Sequence, residues 1–255
     1  MPRKIFFLVI ALAAPFSWGA DLFSNPNKLC KSLSQVSLPT SGWKPSKAFP
    51  SEWLCLSQMK PFGKVGSNGM ENNIAFYVNG TNQEYANDIR IKININNPRE
   101  KSQAFSSLTK ATELLFKTYS VAMPNGLIEA LKSNTPGTWQ APWGKAELVF
   151  EPGRIESFKV VLTNREYLQR KEKLITESVS DFERCKGVVA KAAGYSEALV
   201  NGDGEPVQES SYKSFLLKGK GKDLFFCEVH KNNKYKIKAA LNGKFPFRYI
   251  AEGSL

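Results

Sequence analysis

From residue 89 the chain alternates without a break: Ile89, Ile91, Ile93 and Ile95 against Arg90, Lys92 and Asn94. A period of two places one set on each face of an extended strand, one face buried and the other solvated. The pattern returns near the carboxyl end, where Tyr235, Ile237, Ala239 and Leu241 alternate with Lys236, Lys238 and Ala240. Shorter apolar runs at 74–78, 146–150, 155–162 and 244–250 predict further strands. The turns agree. Glu151-Pro152-Gly153-Arg154 and Lys231-Asn232-Asn233-Lys234 are turn sequences, and Asn242-Gly243 predicts a tight hairpin between 235–241 and 244–250.

Between the strands the period changes. After Asn97-Pro98, the residues Phe105, Leu108, Ala111, Leu115 and Tyr119 share one face of a helix that ends near Ser120. A second, short helix is predicted over 124–132, stopped by Asn134-Thr135-Pro136-Gly137. Two more helix starts stand before cysteines. Asn25 can cap a helix with Pro26 in its first position, and Ser180 can do the same with Glu183 three residues on. Residues 165–175 are highly charged and read either as helix or as an exposed linker.

The four cysteines organise these elements. Cys30 and Cys185 fall in the helix-like stretches; Cys55 and Cys227 fall in aromatic, strand-prone runs, Trp53-Leu54-Cys55-Leu56 and Leu224-Phe225-Phe226-Cys227. Four cysteines allow three pairings. The repeated context favours Cys30–Cys55 and Cys185–Cys227, and in the chain-entropy picture such loops stabilise by about 3.5 and 4 kcal/mol. The chain therefore reads as an α+β protein of two related halves. Each is a cysteine-bearing helix packed on an antiparallel meander, with a helix pair and a hairpin between them. The expected divisions are a leader over 1–20, a first half over 21–163, a linker or helix over 164–177 and a second half over 178–255.

The leader sets the compartment. Arg3 and Lys4 precede an apolar run over 5–15, and Trp18-Gly19-Ala20 offers a cleavage region before Asp21. This is the layout of a secretory signal, and the run is short for a bilayer span. A periplasmic or secreted protein is expected, in surroundings where disulfides persist.

Candidate chemistry is sparse. His230 is the only histidine, so any serine or cysteine nucleophile would have to use it. On an extended strand His230 and Cys227 point to opposite faces, which makes a poor metal pair. No nucleophile elbow, Walker loop or dinucleotide fingerprint occurs. Lys218-Gly219-Lys220-Gly221-Lys222 lacks the ending of a phosphate loop and is read as a strand connection. Asn201-Gly202-Asp203-Gly204-Glu205 meets Pro206 and Tyr212 where a calcium loop needs glycine and glutamate. Glu147, Glu151 and Glu156 gather near a hairpin, where carboxylates are usually solvated. No catalytic residue, metal ligand or cofactor is assigned.

Charge remains. Arg3 and Lys4 account for two of the formal +12, leaving +10 beyond the leader. A balance of this size favours acidic partners, an anionic envelope polymer or an acidic protein. The densest basic stretch is the carboxy-terminal sheet: Lys218, Lys220, Lys222, Lys234, Lys236 and Lys238, followed by Lys244 and Arg248, with Tyr235, Phe245, Phe247 and Tyr249 interleaved. The expectation is an exported, non-enzymatic binding protein of a bacterial envelope that holds an anionic polymer on this face. One alternative is a protein-binding module (inhibitor, immunity protein or secretion or envelope accessory), with Trp139 and Trp143 as anchors in an exposed segment over 135–143. An enzyme of unfamiliar type is the remaining class.

Overall fold

A computed structural model of the protein describes residues 22–47, 51–209 and 211–254; the leader expected over 1–20 lies outside them. The chain divides into two compact units, one through Arg165 and one from Glu166. Among the described residues no helix is long and apolar enough to cross a membrane.

In the first unit, β1 (Lys44–Pro45), β2 (Trp53–Leu56), β3 (Lys60–Phe62), β4 (Asn72–Gly80), β5 (Asp88–Ile95), β6 (Gly137–Ala141), β7 (Gly144–Glu151) and β8 (Glu156–Asn164) form one antiparallel sheet. The order is β1-β2-β4-β5-β8-β7-β6, with β3 attached to β4. The helix pair α2 (Lys101–Tyr119) and α3 (Leu127–Ser133) is inserted between β5 and β8, which pair directly. Register explains the core. Phe76 opposes Ile91, Ile91 opposes Val160, and Val160 opposes Leu148, so the alternation of each strand falls on one continuous apolar face. The buried stripe of α2 (Phe105, Leu108, Ala111, Leu115, Phe116) covers that face, with the Phe105 and Phe158 rings 4.7 Å apart. The amino-terminal helix α1 (Pro26–Lys31) begins as expected: the Asn25 side chain accepts from the Lys28 N–H, and Pro26 stands at the first turn. Cys30 on α1 is bonded to Cys55 on β2.

The second unit opens with α4 (Arg165–Ala193) and continues into β9 (Pro206–Gln208), β10 (Tyr212–Lys218), β11 (Leu224–His230), β12 (Lys234–Ala240) and β13 (Arg248–Ser254). The strands make an antiparallel meander in the order β13-β12-β11-β10-β9. Cys185, Val189 and Ala190 of α4 are buried with Phe215, Leu217, Phe225, Cys227, Val229 and Ile237, and Cys185 is bonded to Cys227 on the central strand. Gly194 closes α4 in a left-handed conformation, with the Tyr195 N–H donating back to the Ala190 carbonyl at 2.8 Å.

Three expectations change. No helix starts at Ser180, which lies inside α4; that helix already covers the charged stretch from Arg165, for which helix was one of the two readings. Glu, Leu, Gln, Arg and Lys dominate its first turns, all strong helix formers, and they carry the helix past Ser180. Asn242-Gly243 does not close a tight hairpin. Asn242 is left-handed, but pairing resumes only at Arg248, because Pro246 has no N–H to give to a ladder. The halves also share the staple more than the topology. Cys55 lies on the second strand of the larger sheet, whereas Cys227 lies on the middle strand of five.

Candidate functional site

The inner face of the carboxy-terminal sheet is the core of the second unit, so its chemistry lies on the outer face. Odd-numbered residues of β11 and β12 point inward, and Leu224, Phe226, Glu228 and His230 point outward. Glu228 opposes Lys236 and Phe226 opposes Lys238; beyond them Lys236 opposes Glu252 and Lys238 opposes Tyr249. Lys234, Lys236 and Lys238 therefore form one outward row along β12. Tyr235, expected among the interleaved aromatics, is on the inner side instead, with its ring laid against Gly253.

The row is not uniformly free. The Lys238 ammonium is bonded to the Glu228 carboxylate and stands 4.9 Å from the centre of the Tyr249 ring. That pairing with Glu228 raises the Lys238 pKa above its ordinary value. Glu228 is itself buried although it belongs to the outer face, and His230 Nε2 lies 3.7 Å from it. Lys236 is 5.9 Å from the Tyr249 ring, between Glu228 and Glu252 across the strands. Lys234 is exposed at the row's end. There a concavity of about 530 Å³ is lined by His230, Lys234, Lys236 and Glu252.

Lys218, Lys220 and Lys222 occupy the opposite end of the sheet, at the turn between β10 and β11. Lys244 comes to the same end from the connection between β12 and β13, and Arg248 from the first position of β13, opposite Ala239. The two connections are tied together. The Lys222 stem packs against Gly243, and the Asp223 carboxylate accepts from the Asn242 N–H at 2.6 Å and from the Tyr195 hydroxyl. These bonds, the Asn242 N–H first, lower the Asp223 pKa below its usual value. Asp223 is thus turned inward and spent on structure. Among the described residues no carboxylate pairs with Lys218, Lys220, Lys222, Lys244 or Arg248. Residues 212–254 carry ten basic side chains against three acidic ones, and two of those three, Glu228 and Asp223, are buried. The six lysines singled out above therefore form two groups, an outward row partly compensated by carboxylates and an uncompensated cluster at one end.

Aromatic side chains connect the groups. The Phe226 and Phe247 rings are 4.7 Å apart, and those of Phe247 and Phe245 are 5.3 Å apart. Leu216 opposes Phe226 on the neighbouring strand. Glu228, Phe226 and Leu216 carry no local signal in the sequence; only the strand register brings them to this face.

The other expected anchors sit differently. Residues 137–141 form the strand β6 rather than an exposed loop. Trp139 is half-buried against Gly126 and Gly137, and Trp143 is half-buried between the Phe23 and Phe116 rings, 6.1 and 5.8 Å away. Both tryptophans lean on the core of the first unit. The three clustered glutamates do not converge either: Glu147 pairs with Lys145, Glu151 with Lys92 and Lys159, and Glu156 with Lys101.

The fold and this face define a disulfide-stapled α+β protein with a cationic, aromatic sheet surface. The chain belongs to DUF6030, a family of unknown function whose model matches residues 14–185, which takes in most of the first unit and α4 as far as Cys185. No curated protein and no solved structure matches it.

Proposed function

We propose that this protein is an exported, non-enzymatic binding protein that holds an anionic polymer of the bacterial envelope on its carboxy-terminal sheet. One observation carries the reading: a sheet face that no other element of the second unit covers among the described residues, bearing cations at both ends and aromatic rings between them. Phosphate or sulfate groups would meet the free cluster of Lys218, Lys220 and Lys222 and the exposed Lys234, while rings such as Phe247 and Tyr249 give the intervening chain an apolar bed. The paired Lys238 positions Tyr249 more than it attracts an anion. Export is supported by the two disulfides, which persist in oxidising compartments, and by the leader sequence.

Heparin, a soluble polyanion, is the direct probe. At physiological salt the protein should be retained beyond an unrelated protein of equal net charge, since clustered charge binds more strongly than dispersed charge. Changing Lys218, Lys220 and Lys222 to glutamate should lower the eluting salt most. Changing Lys234, Lys236 and Lys238 together should lower it less, because Lys238 is already compensated. Elution no later than the charge-matched control defeats the proposal.

A second reading, a protein-binding module, rests on the open edge of β13, where Tyr249 and Ile250 are exposed. An added strand could pair there. Proline at Ile250 should abolish such a contact and leave heparin retention unchanged.

A further inference from the structure

The polyanion reading leaves a group of exposed apolar side chains at one end of the second unit's sheet largely unexplained. Leu241, Phe245 and Tyr249 are 47%, 65% and 62% exposed, and Ile250 is exposed beside them. All four fall within ten residues, on the connection from β12 to β13 and the start of β13. Among them the Phe245 ring extends the line of the Phe226 and Phe247 rings, 5.3 Å from Phe247. Single exposed apolar residues are ordinary; a contiguous set rimmed by cations marks an interaction surface.

We infer that this end of the sheet docks on an anionic lipid surface, with Leu241 and Phe245 entering the interface and Lys220, Lys222, Lys244 and Arg248 meeting the phosphates. The inference rests on the polyanion reading and names the source of the anion. Charge complementarity selects it over a protein partner, because the cations surround the apolar tip and no carboxylate pairs with them among the described residues. A soluble polymer would satisfy the cations and leave Phe245 in water. A bilayer interface takes both, since aromatic rings settle at the headgroup level and lysine stems reach outward from the apolar layer. The tip is also pre-shaped. Asp223 holds Asn242, and Lys222 packs on Gly243, so the two basic connections present their charges together before any surface is met.

The test uses the oxidised protein from Asp21 onward, sedimented with vesicles of phosphatidylcholine alone or with roughly a third phosphatidylglycerol. The mixed vesicles should carry the protein down and the neutral ones should leave it in solution. Leu241→Ser with Phe245→Ser should weaken partition about tenfold or more while the salt of elution from heparin stays put, which also reports an intact fold. Lys220→Glu, Lys222→Glu and Lys244→Glu together should weaken both, by about a hundredfold on vesicles. Heparin retention without vesicle binding would overturn the bilayer and spare the polymer, whereas loss of both would overturn the two readings together. Vesicle binding unaffected by the serine pair would also overturn the inference, as would a dimer in solution that the pair dissolves.

Discussion

Glu151 shows what a single side chain contributes to the larger sheet. On β5 and β8, Lys92 and Lys159 stand directly opposite each other on the outer face, an arrangement that like charges disfavour. Glu151 lies between them, accepting from Lys159 at 2.6 Å and from Lys92 at 2.7 Å. Those two hydrogen bonds, Lys159 first, pull its pKa from the usual 4.5 to about 2. A depressed carboxylate stabilises the fold above its unfolded value and stops doing so as it takes up a proton. The contribution should thus be complete above about pH 5 and vanish as pH falls through 4.5 towards 2. The carboxylate is 37% exposed, so solvent screening holds its worth to about 1 kcal/mol. Glu151→Gln should lower the urea midpoint at pH 7 and make no difference near pH 2. A constant deficit at every pH would mean that the pairing is not its source. Adding Lys159→Gln should recover part of the loss at pH 7 by removing the facing charge.

At the scale of elements, what could be read from the sequence depended on whether a segment's partner was nearby in the chain. The alternation of Ile89 to Ile95 and of Tyr235 to Ala239 announced β5 and β12, because burial of one face is written into each strand. Asn25-Pro26 announced α1 for an equally local reason. The outer-face chemistry was legible only as composition. That Glu228 takes up the charge of Lys238 follows from a hairpin register, and that Asp223 turns inward follows from a contact with Tyr195 and Asn242. The start of α4 was left open between helix and linker because its first turns have no apolar period, only propensity. Gly137 to Ala141 was hidden because five residues with a leading glycine hold a strand only when β7 is beside them. The joint between β6 and β7 depends on Gly144, which has φ +145° and stands so close to β8 that an added Cβ would meet the Thr163 carbonyl oxygen at 1.9 Å and the Arg165 nitrogen at 2.8 Å. Both obstacles are backbone and neither can swing aside. Gly144→Ala should therefore cost about 3 kcal/mol or more in unfolding free energy, through strain and overpacking together. Gly153→Ala, whose nearest neighbour is 3.6 Å away, should be close to neutral. Similar losses at the two positions would refute the steric account.

Over the whole molecule, each unit has its own apolar core and its own disulfide. Cys30–Cys55 spans 25 residues and Cys185–Cys227 spans 42. Tying off segments of these lengths removes about 3.5 and 4 kcal/mol of unfolded-chain freedom, a large share of the stability of a domain. The tryptophans allow the two effects to be separated. Trp43, Trp53, Trp139 and Trp143 all belong to the first unit, and no tryptophan follows Arg165. Indole fluorescence in urea therefore follows the first unit, whereas far-ultraviolet circular dichroism follows both. Replacing Cys185 and Cys227 together by serine should shift part of the dichroism to lower urea and leave the fluorescence midpoint where it was. Replacing Cys30 and Cys55 should do the reverse, moving the fluorescence midpoint by the equivalent of about 3.5 kcal/mol. If fluorescence instead moved in step with the loss of Cys185–Cys227, the two cores would be unfolding as one body. The carboxy-terminal sheet could not then loosen on its own while it met a polymer or a membrane.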